Sequence, residues 1–203
     1  GGAGNDTYRF NTGDVDSGES ITEASSGGTD TVSIITSTDF ANMSNASFDE
    51  IDVINFGGAS QTATFTGAQF TSETNSLTET AAGTSNLVIN VGAGGTGAFT
   101  NMTAASSFTS GADTVTINGS TGNETIQGPN IASTITGGAG TDTLTGGTQA
   151  DIITGGDGND TLTGGDGTDS LNGGAGNDTY RFNTGDVDSG ESITEASSGG
   201  TDT

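Results

Sequence analysis

Aspartate residues recur at a fixed spacing near the C-terminal end of the sequence, each inside a glycine-rich nonapeptide. Reading from Gly137 in nines gives GGAGTDTLT, GGTQADIIT, GGDGNDTLT, GGDGTDSLN and GGAGNDTYR. Only Gln149 and Ala150, in the second copy, depart from the pattern. Because glycine permits positive φ and close backbone approach, these turns can direct carbonyl oxygens toward the Asp side chain. Such a mixture of carboxylate and carbonyl oxygens suits Ca²⁺, which takes about six to eight of them.

A single turn has too few oxygen atoms for this coordination, so we expect two stacked turns to share each ion. With two nonapeptides per coil, Asp142, Asp160 and Asp178 should line one edge, and Asp151 and Asp169 the other. We therefore predict ions between the first and third, second and fourth, and third and fifth turns. The predicted calcium ligands are the sixth-position acids and their equivalents, two third-position aspartates and the turn glycines: Asp142, Asp151, Asp157, Asp160, Asp166, Asp169, Asp178, Asp6, Glu124, Gly138, Gly140, Gly147, Gly156, Gly158, Gly165, Gly167, Gly174 and Gly176.

The eighth position of each nonapeptide is apolar, and this spacing extends further along the chain than the glycines do. The residues that share it are Ile117, Ile126, Ile135, Leu144, Ile153, Leu162, Leu171 and Tyr180. Neither the helical period of about 3.6 nor the strand period of 2 gives this pattern. A coil of two nonapeptides, each a turn plus a short strand, does, because every apolar residue then stacks on its equivalent in the next coil. The pattern predicts an all-β fold, a parallel β-roll or β-solenoid with calcium-binding GGxGxDxUx turns.

The composition indicates that the metal-free chain cannot fold unaided. The 203 residues include 26 acidic and two basic side chains, a net charge of −24, and only 28% are hydrophobic. Carboxylates about 5 Å apart on adjacent coils repel by about 3 kcal/mol at an effective dielectric of about 20. Divalent cations reverse this repulsion, so we expect folding and metal binding to be one event. The same charge excludes nucleic acid and anionic lipid as partners, and no apolar stretch is long enough for membrane insertion.

The nonapeptides resemble the RTX (repeats-in-toxin) family of calcium-binding secreted proteins. The resemblance is strong over 137–182 and weaker over 119–136, where Glu124 stands in the Asp position and Gly128-Pro129-Asn130 has lost its acid. It implies type I secretion, disorder in the calcium-poor cytosol, and folding outside the cell or at its surface. Family members include proteases, lipases, pore-forming toxins, surface-layer proteins and adhesins, so the motif does not choose among functions.

The sequence also contains a large duplication. Residues 1–31 recur letter for letter at 173–203, so that Gly173 repeats Gly1 and Thr203 repeats Thr31. We interpret the chain as one period plus an overlap from a tandem array; the alternative is a natural end inside a partial repeat. The predicted organisation is the end of a preceding roll with its exit segment (1–31), an irregular β-rich segment (32–118), the calcium roll (119–182), and an exit segment that starts the next unit (183–203).

The middle segment lacks the glycine–Asp pattern but contains short β-type runs. These are Val32–Ile35, Ile51–Phe56, Thr62–Thr66, Leu87–Val91 and Thr114–Ile117. Turn residues separate the runs, and no convincing amphipathic helix is present. We interpret the segment as a less regular β-solenoid, with a β-sandwich as the alternative.

The exit segments offer a further candidate calcium site in Gly13-Asp14-Val15-Asp16 and its copy Gly185-Asp186-Val187-Asp188. The alternative is a solvated acidic loop that leads out of the roll. The aromatic residues of the two copies are expected to close the end of the roll rather than to stack on a ligand: Tyr8, Phe10, Tyr180 and Phe182.

Catalysis is not expected. The chain has no His, Cys or Lys, so it cannot form a Ser–His or Cys–His pair, a His-ligated zinc site or a Schiff base. A carboxylate pair for glycoside cleavage remains formally possible. The clustered carboxylates, however, are better explained as calcium ligands.

The favoured function is a calcium-dependent structural unit of a secreted polymer, with neighbouring copies of the same unit as partners. This rests on the duplication, because stacked units leave no exposed strand edge. The alternative is a secretion and folding module of a larger hydrolase or toxin. A third function, ice or surface binding, is disfavoured because the fifth positions are too mixed for a flat lattice match: Thr141, Ala150, Asn159, Thr168 and Asn177.

Overall fold

A computed structural model describes the fold in two compact units. The described residues are 1–23, 27–44, 48, 50–70, 75–108, 112–184, 186, 190–196 and 200–203. Unit 1 comprises Gly1–Ile89 and Asn101–Thr114, and unit 2 comprises Asn90–Thr100 and Val115–Thr203.

Nearly all regular structure in the described residues is β-strand. The strands in chain order are β1 (Thr7–Phe10), β2 (Thr31–Ile34), β3 (Thr38–Asp39), β4 (Val53–Phe56), β5 (Thr62–Thr66), β6 (Ser76–Glu79), β7 (Asn86–Asn90), β8 (Thr96–Ala98), β9 (Thr103–Ala104), β10 (Thr114–Asn118), β11 (Thr125–Gln127), β12 (Ser133–Ala139), β13 (Thr143–Thr145), β14 (Ile152–Asp157), β15 (Thr161–Thr163), β16 (Ser170–Ala175), β17 (Thr179–Arg181) and β18 (Ser192–Thr194). A single turn of 3₁₀ helix covers Gly67–Gln69. Within the described ranges, no helix has the length and apolar character that crossing a bilayer requires.

Unit 1 is a solenoid with long coils. Strands β1, β2, β4, β6 and β9 are neighbours in one parallel sheet, and β3, β5 and β7 are neighbours in a second. Side-chain hydrogen bonds between adjacent coils span 22 positions from Ser33 to Asn55 and 23 from Asn55 to Thr78. Successive parallel strands of this kind belong to a solenoid, which supports that interpretation of the middle segment over a sandwich.

Aromatic rings fill the core of unit 1. Phe40 stacks on Phe65 with ring centroids 4.7 Å apart, and Phe48 meets both rings edge-on at 5.6 and 5.1 Å. Phe10, predicted to close a roll end, packs edge-on against Phe40 at 5.0 Å. Coils longer than two nonapeptides make room for these rings, which bury large apolar areas.

Unit 2 has shorter coils and a narrower core. One parallel sheet has the order β8, β11, β13, β15, β17, and the other the order β10, β12, β14, β16, β18. From β11 to β17 the coils have equal length, and the equivalent residues Asp142 and Asp160 are 18 positions apart. The apolar column predicted from the spacing of nine is confirmed for seven of its eight members, because each of these side chains is at most 1% exposed: Ile117, Ile126, Ile135, Leu144, Ile153, Leu162 and Leu171. The eighth, Tyr180, is only half-buried. The all-β parallel fold predicted from the sequence is therefore confirmed.

Candidate metal centre

Buried acidic side chains lie immediately before the parallel strands of unit 2. The residues that precede β11, β13, β15 and β17 form what we call the first carboxylate row: Glu124, Asp142, Asp160 and Asp178. The residues that precede β14 and β16, in the other sheet, form the second carboxylate row: Asp151 and Asp169. Every one of these side chains is at most 1% exposed. Alternate repeats therefore contribute to different rows.

Backbone hydrogen bonds fix one oxygen of each carboxylate. In the first row the Asp142 N–H donates to Asp160 Oδ1, and the Asp160 N–H donates to Asp178 Oδ1, both at 2.8 Å. In the second row the Asp151 N–H donates to Asp169 Oδ1, also at 2.8 Å. Each Asp thus links its own coil to the preceding one, which holds successive carboxylates in register along the solenoid.

The second oxygen of most of these carboxylates has no partner. In the described part of the chain, the Oδ2 atoms of Asp142, Asp160, Asp169 and Asp178 are buried and accept no hydrogen bond. Burying an ionised oxygen without a partner costs about 1–3 kcal/mol or more. A hard divalent cation would satisfy these atoms, so the residues fit the predicted calcium.

The carboxylates also influence one another's protonation. Burial raises the pKa of both Asp160 and Asp169 to about 6. Hydrogen bonds from the Asp142 and Asp151 N–H groups lower these values, and neighbouring carboxylates raise them. Burial likewise raises the pKa of Asp142 and Asp151. A bound cation would oppose these shifts because it favours the ionised form.

The glycine turns bring backbone oxygens close to the rows. Gly158 has a φ of 140°, and a Cβ at this position would overlap the carbonyl oxygen of Gly140 in the preceding coil. Gly176, with a φ of 133°, approaches Gly158 in the same way. Positive φ is shared by the second and fourth positions of four repeats: Gly138, Gly140, Gly156, Gly158, Gly165, Gly167, Gly174 and Gly176. These turns could supply the carbonyl ligands that the aspartates alone cannot.

The second nonapeptide, which carries Gln149 and Ala150, has a different turn. Gly147 is not among the glycines with positive φ, and its N–H donates to Asp151 Oδ2 at 2.7 Å. The other oxygen, Asp151 Oδ1, accepts from the backbone N–H and the hydroxyl of Ser133, both at 2.8 Å. Both oxygens of Asp151 therefore already have protein donors.

Glu124 is brought into the first row, but its oxygens have partners as well. The Gly94 N–H donates to Oε1 at 2.7 Å and the Ser120 N–H donates to Oε2 at 3.0 Å. Although burial raises the pKa of Glu124, these hydrogen bonds outweigh it, and the net shift is downward. Glu124 has the environment of a structural carboxylate that anchors two loops.

The remaining predicted ligands lie outside both rows. The side chains of Asp157 and Asp166 are exposed. Asp6 belongs to unit 1, where its N–H donates to Asp30 Oδ1 at 2.9 Å.

The exit-segment motif forms a local turn. Asp14 Oδ2 accepts from the Asn11 backbone N–H at 2.6 Å and from its side-chain amide at 3.0 Å. Asp186 makes the equivalent contacts with Asn183. Gly185, Val187 and Asp188 of the second copy lie outside the described residues. In both copies the Asp caps its own turn. Asp14 is exposed, as the solvated-loop alternative predicts, whereas Asp186 is buried.

Two acids that the sequence analysis did not select extend the rows. The Asp169 N–H donates to Glu191 Oε1 at 3.0 Å, and the Asp178 N–H donates to Asp202 Oδ1 at 2.9 Å. Glu191 carries a sequence signal, because it stands two positions before the apolar Ile193, and Asp202 is the copy of Asp30, which stands two positions before Val32. Irregular spacing hid it: these partners lie 22 and 24 positions apart rather than 18.

Comparison with known proteins identifies the repeats. Residues 118–153 and 145–180 match the sequence profile of the RTX calcium-binding nonapeptide repeat (4 copies). This confirms the resemblance drawn from the nonapeptides, and the match is confined to that region of the chain. No curated protein and no solved structure matches the chain.

Proposed function

Because residues 118–180 are RTX calcium-binding nonapeptide repeats, we propose that the chain is a calcium-dependent structural repeat unit of a secreted extracellular polymer. A filament, a surface layer and a giant adhesin stalk are the forms that such a polymer would take. RTX repeats typically belong to secreted proteins, which agrees with the extracellular, cell-surface location proposed here, reached by type I secretion. Calcium would hold the carboxylate rows together outside the cell, where the ion is abundant.

The observation that carries the polymer role is the strand pairing of the two identical copies. In the second copy, β17 pairs with β15, which precedes it in the chain. In the first copy, β1 pairs with β2, which follows it. Each copy therefore uses the strand edge that the other leaves open. A copy that pairs on both edges at once would join one unit to the next without an exposed edge.

Backbone hydrogen bonds in the second copy also support the joining of one repeat unit to the next. The Thr203 N–H donates to the Asp178 carbonyl at 3.0 Å, just as the Thr31 N–H donates to the Asp6 carbonyl at 2.9 Å. The Tyr180 N–H also donates to the Thr203 carbonyl at 2.8 Å. Thr203, the copy of Thr31 at the start of β2, therefore lies beside β17, where the next strand of the sheet would begin.

The proposal includes no catalysis. The absence of His, Cys and Lys removes the common nucleophile and base pairs. The carboxylates that do cluster are engaged in row hydrogen bonds, which suits them to structure and metal binding rather than to proton transfer.

The proposal is tested by comparing the thermal unfolding of a protein with one copy of the tandem repeat unit and a protein with two copies in series. In excess Ca²⁺ we expect the two-unit protein to unfold at least about 5 °C higher, because each joined edge adds a few kcal/mol of coupling between neighbours. The same pair measured in Mg²⁺ is the control, and no increase is expected there. Equal melting temperatures in Ca²⁺ would contradict stacking and would favour the alternative function, a secretion and folding module of a larger hydrolase or toxin.

A further inference from the structure

Three carboxylates converge just beyond the last nonapeptide. Asp178, Glu195 and Asp202 each present one oxygen, and these atoms all lie within 4.8 Å of one another. Asp178 ends the first carboxylate row, Glu195 follows β18, and Asp202 lies one residue before Thr203. The group, which we call the exit cluster, therefore joins the roll to the segment that leaves it.

The same cluster forms in the first copy of the duplicated sequence, inside a different unit. Asp6, Glu23 and Asp30 also present oxygens within 4.8 Å of one another. There Asp30 is followed by β2, and its N–H donates to Asp52 Oδ2 at 2.8 Å. The arrangement thus arises twice, with different neighbouring strands in each case.

An unpartnered buried oxygen lies in the exit cluster. Asp178 is 1% exposed, and its Oδ2 accepts no hydrogen bond in the described part of the chain. Oδ2 faces the Gly173 Cα beside the hydroxyl of Tyr180, and that hydroxyl donates to Glu195 Oε1. Glu195 Oε2 is also buried without a partner. Two of the three carboxylates in the cluster therefore have a buried oxygen that a cation would satisfy.

The hydroxyl of Tyr180 holds the glutamate of the second copy in place. It accepts from the Gly173 backbone N–H at 2.6 Å and donates to Glu195 Oε1. Tyr180 therefore lies close enough to this cluster to report on an ion bound there.

We propose that Asp178, Glu195 and Asp202 bind one Ca²⁺ ion, at a site that shares Asp178 with the last nonapeptide and takes its other ligands from the exit segment, and that Asp6, Glu23 and Asp30 form its copy. The donors are all oxygens, with no nitrogen or sulfur ligand, and this set selects calcium over zinc or copper. The ion would fasten Glu195, and with it the exit segment, to the end of the first carboxylate row. This site is independent of the polymer role, because it needs only one unit.

Tyrosine-sensitised terbium luminescence tests the site directly, because Tb³⁺ replaces Ca²⁺ in oxygen sites and accepts energy only from a nearby aromatic ring. The chain has no Trp, and Tyr8 and Tyr180 are its two tyrosines. The full-length Tyr8→Phe protein therefore leaves Tyr180, whose hydroxyl donates to Glu195, as the one tyrosine sensitiser. In this background we compare Glu195→Gln with Glu50→Gln, a matched loss of one charge outside both clusters.

We expect Glu195→Gln to raise the Tb³⁺ concentration at half-maximal emission by about tenfold or more, the equivalent of losing one charged ligand. Glu50→Gln should leave it unchanged, and excess Ca²⁺ should quench the emission of the Tyr8→Phe protein by displacement. Equal titration curves for the two variants would overturn the proposal. If Glu195→Gln loses its β-structure by circular dichroism, the Ca²⁺ displacement decides alone, and emission that resists excess Ca²⁺ would overturn it.

Discussion

Unit 1 and unit 2 both stack parallel strands, but they fill their interiors differently. Unit 1 has the longer coils, and Phe40, Phe48 and Phe65 pack together in its core. Unit 2 has a constant coil of 18 positions from β11 to β17, and its core is a column of single Ile and Leu side chains. Aromatic burial gives unit 1 a larger apolar contribution per coil. Unit 2 gains less stability from apolar burial and therefore depends more on the interactions between its stacked turns.

The carboxylates of the two units show what distinguishes a structural aspartate from a candidate ligand. In unit 1 the Asp6 N–H donates to Asp30, and the Asp30 N–H donates to Asp52. None of the described aspartates of unit 1 has an oxygen that is both buried and unpartnered, whereas four of unit 2 do. The aspartate before a strand is therefore common to both units as a link between coils. Asp30 and Asp52 lack the GGxGx turn that precedes each of these four aspartates, and Asp6, which follows such a turn, is only half-buried.

The second nonapeptide of unit 2 supports this conclusion within a single unit. Gly147 lacks positive φ, and its N–H reaches Asp151 Oδ2. In the other repeats the second glycine has positive φ and the aspartate Oδ2 has no partner. Positive φ turns the peptide so that its N–H no longer satisfies the carboxylate. The oxygen is left for a cation.

Removal of calcium should produce the largest difference in stability between unit 1 and unit 2. In excess chelator we expect amide protection in β11 to β17 to fall by about 100-fold or more, since repulsion of about 3 kcal/mol per neighbouring carboxylate pair is no longer offset. Protection in β2, β4 and β5 should fall much less, because aromatic packing persists there. Hydrogen exchange read by mass spectrometry, with and without Ca²⁺, makes the comparison. An equal loss of amide protection in both units would show that the aromatic core of unit 1 does not remain folded without calcium.

Substitution of a turn glycine should damage unit 2 without changing any charge. Gly158→Ala would force a side chain into positive φ and against the Gly140 carbonyl, and we expect it to cost about 3 kcal/mol. Gly92→Ala is the matched control in the same unit, because a Cβ there meets no atom within 4 Å. Denaturant unfolding in saturating Ca²⁺ measures both. Similar stabilities for the two variants would remove the close turn-to-turn approach from the explanation.

The fold was predictable where the period is constant. The spacing of nine located the buried column of unit 2, and β-type runs located β2, β4, β5, β7 and β10 approximately. Strands β6, β8 and β9 could not be predicted from the sequence, because their coils differ in length and the strands are short. In unit 1 the equivalent positions Thr31, Val53, Ser76 and Thr103 follow one another at unequal spacings. A pattern search therefore has no constant period to find there.

The candidate site was predictable only in its repeated part. The sixth-position aspartates lie in two rows, because each occupies the same place in a coil of constant length. Glu195 and Asp202 were missed because irregular insertions place them beside Asp178. The sequence alone does not show which residues such an insertion brings next to the roll. The sequence also cannot show that Gly147 turns its N–H toward Asp151. The contact depends on the orientation of the Gly147 peptide. This orientation occurs in the repeat that has Gln149 in place of the fourth-position glycine.

Acid should affect the metal-free and calcium-loaded forms of unit 2 in opposite directions. Burial raises the pKa of Asp160 and Asp169 to about 6, so folding of the metal-free protein takes up protons. That stabilisation is complete below the pKa of an unfolded Asp, about 3.9, and is lost as the pH rises through about 6. Calcium competes with these protons, so its apparent affinity should fall by about tenfold per pH unit below 6.

Calorimetric calcium titrations between about pH 5 and 7.5 check the affinity, and circular dichroism of the chelated protein over the same range checks the folding. The expected pair of results is weaker calcium binding and more β-structure in the metal-free protein as the pH falls. A calcium affinity that stays constant across this range would mean that these carboxylates do not bind the ion.

The smallest expected effect compares the two aspartates of the second carboxylate row. Asp169→Asn removes charge from a carboxylate with an unpartnered oxygen, and we expect calcium binding to weaken by about tenfold. Asp151→Asn leaves Oδ1 to accept from Ser133 but places an amide N–H₂ against the Gly147 N–H. This should cost about 1 kcal/mol of stability, with a smaller change in calcium affinity. If Asp151→Asn weakens calcium binding as much as Asp169→Asn does, Asp151 must release the Gly147 N–H to bind the ion, and the orientation of a glycine peptide would not decide which aspartates bind calcium.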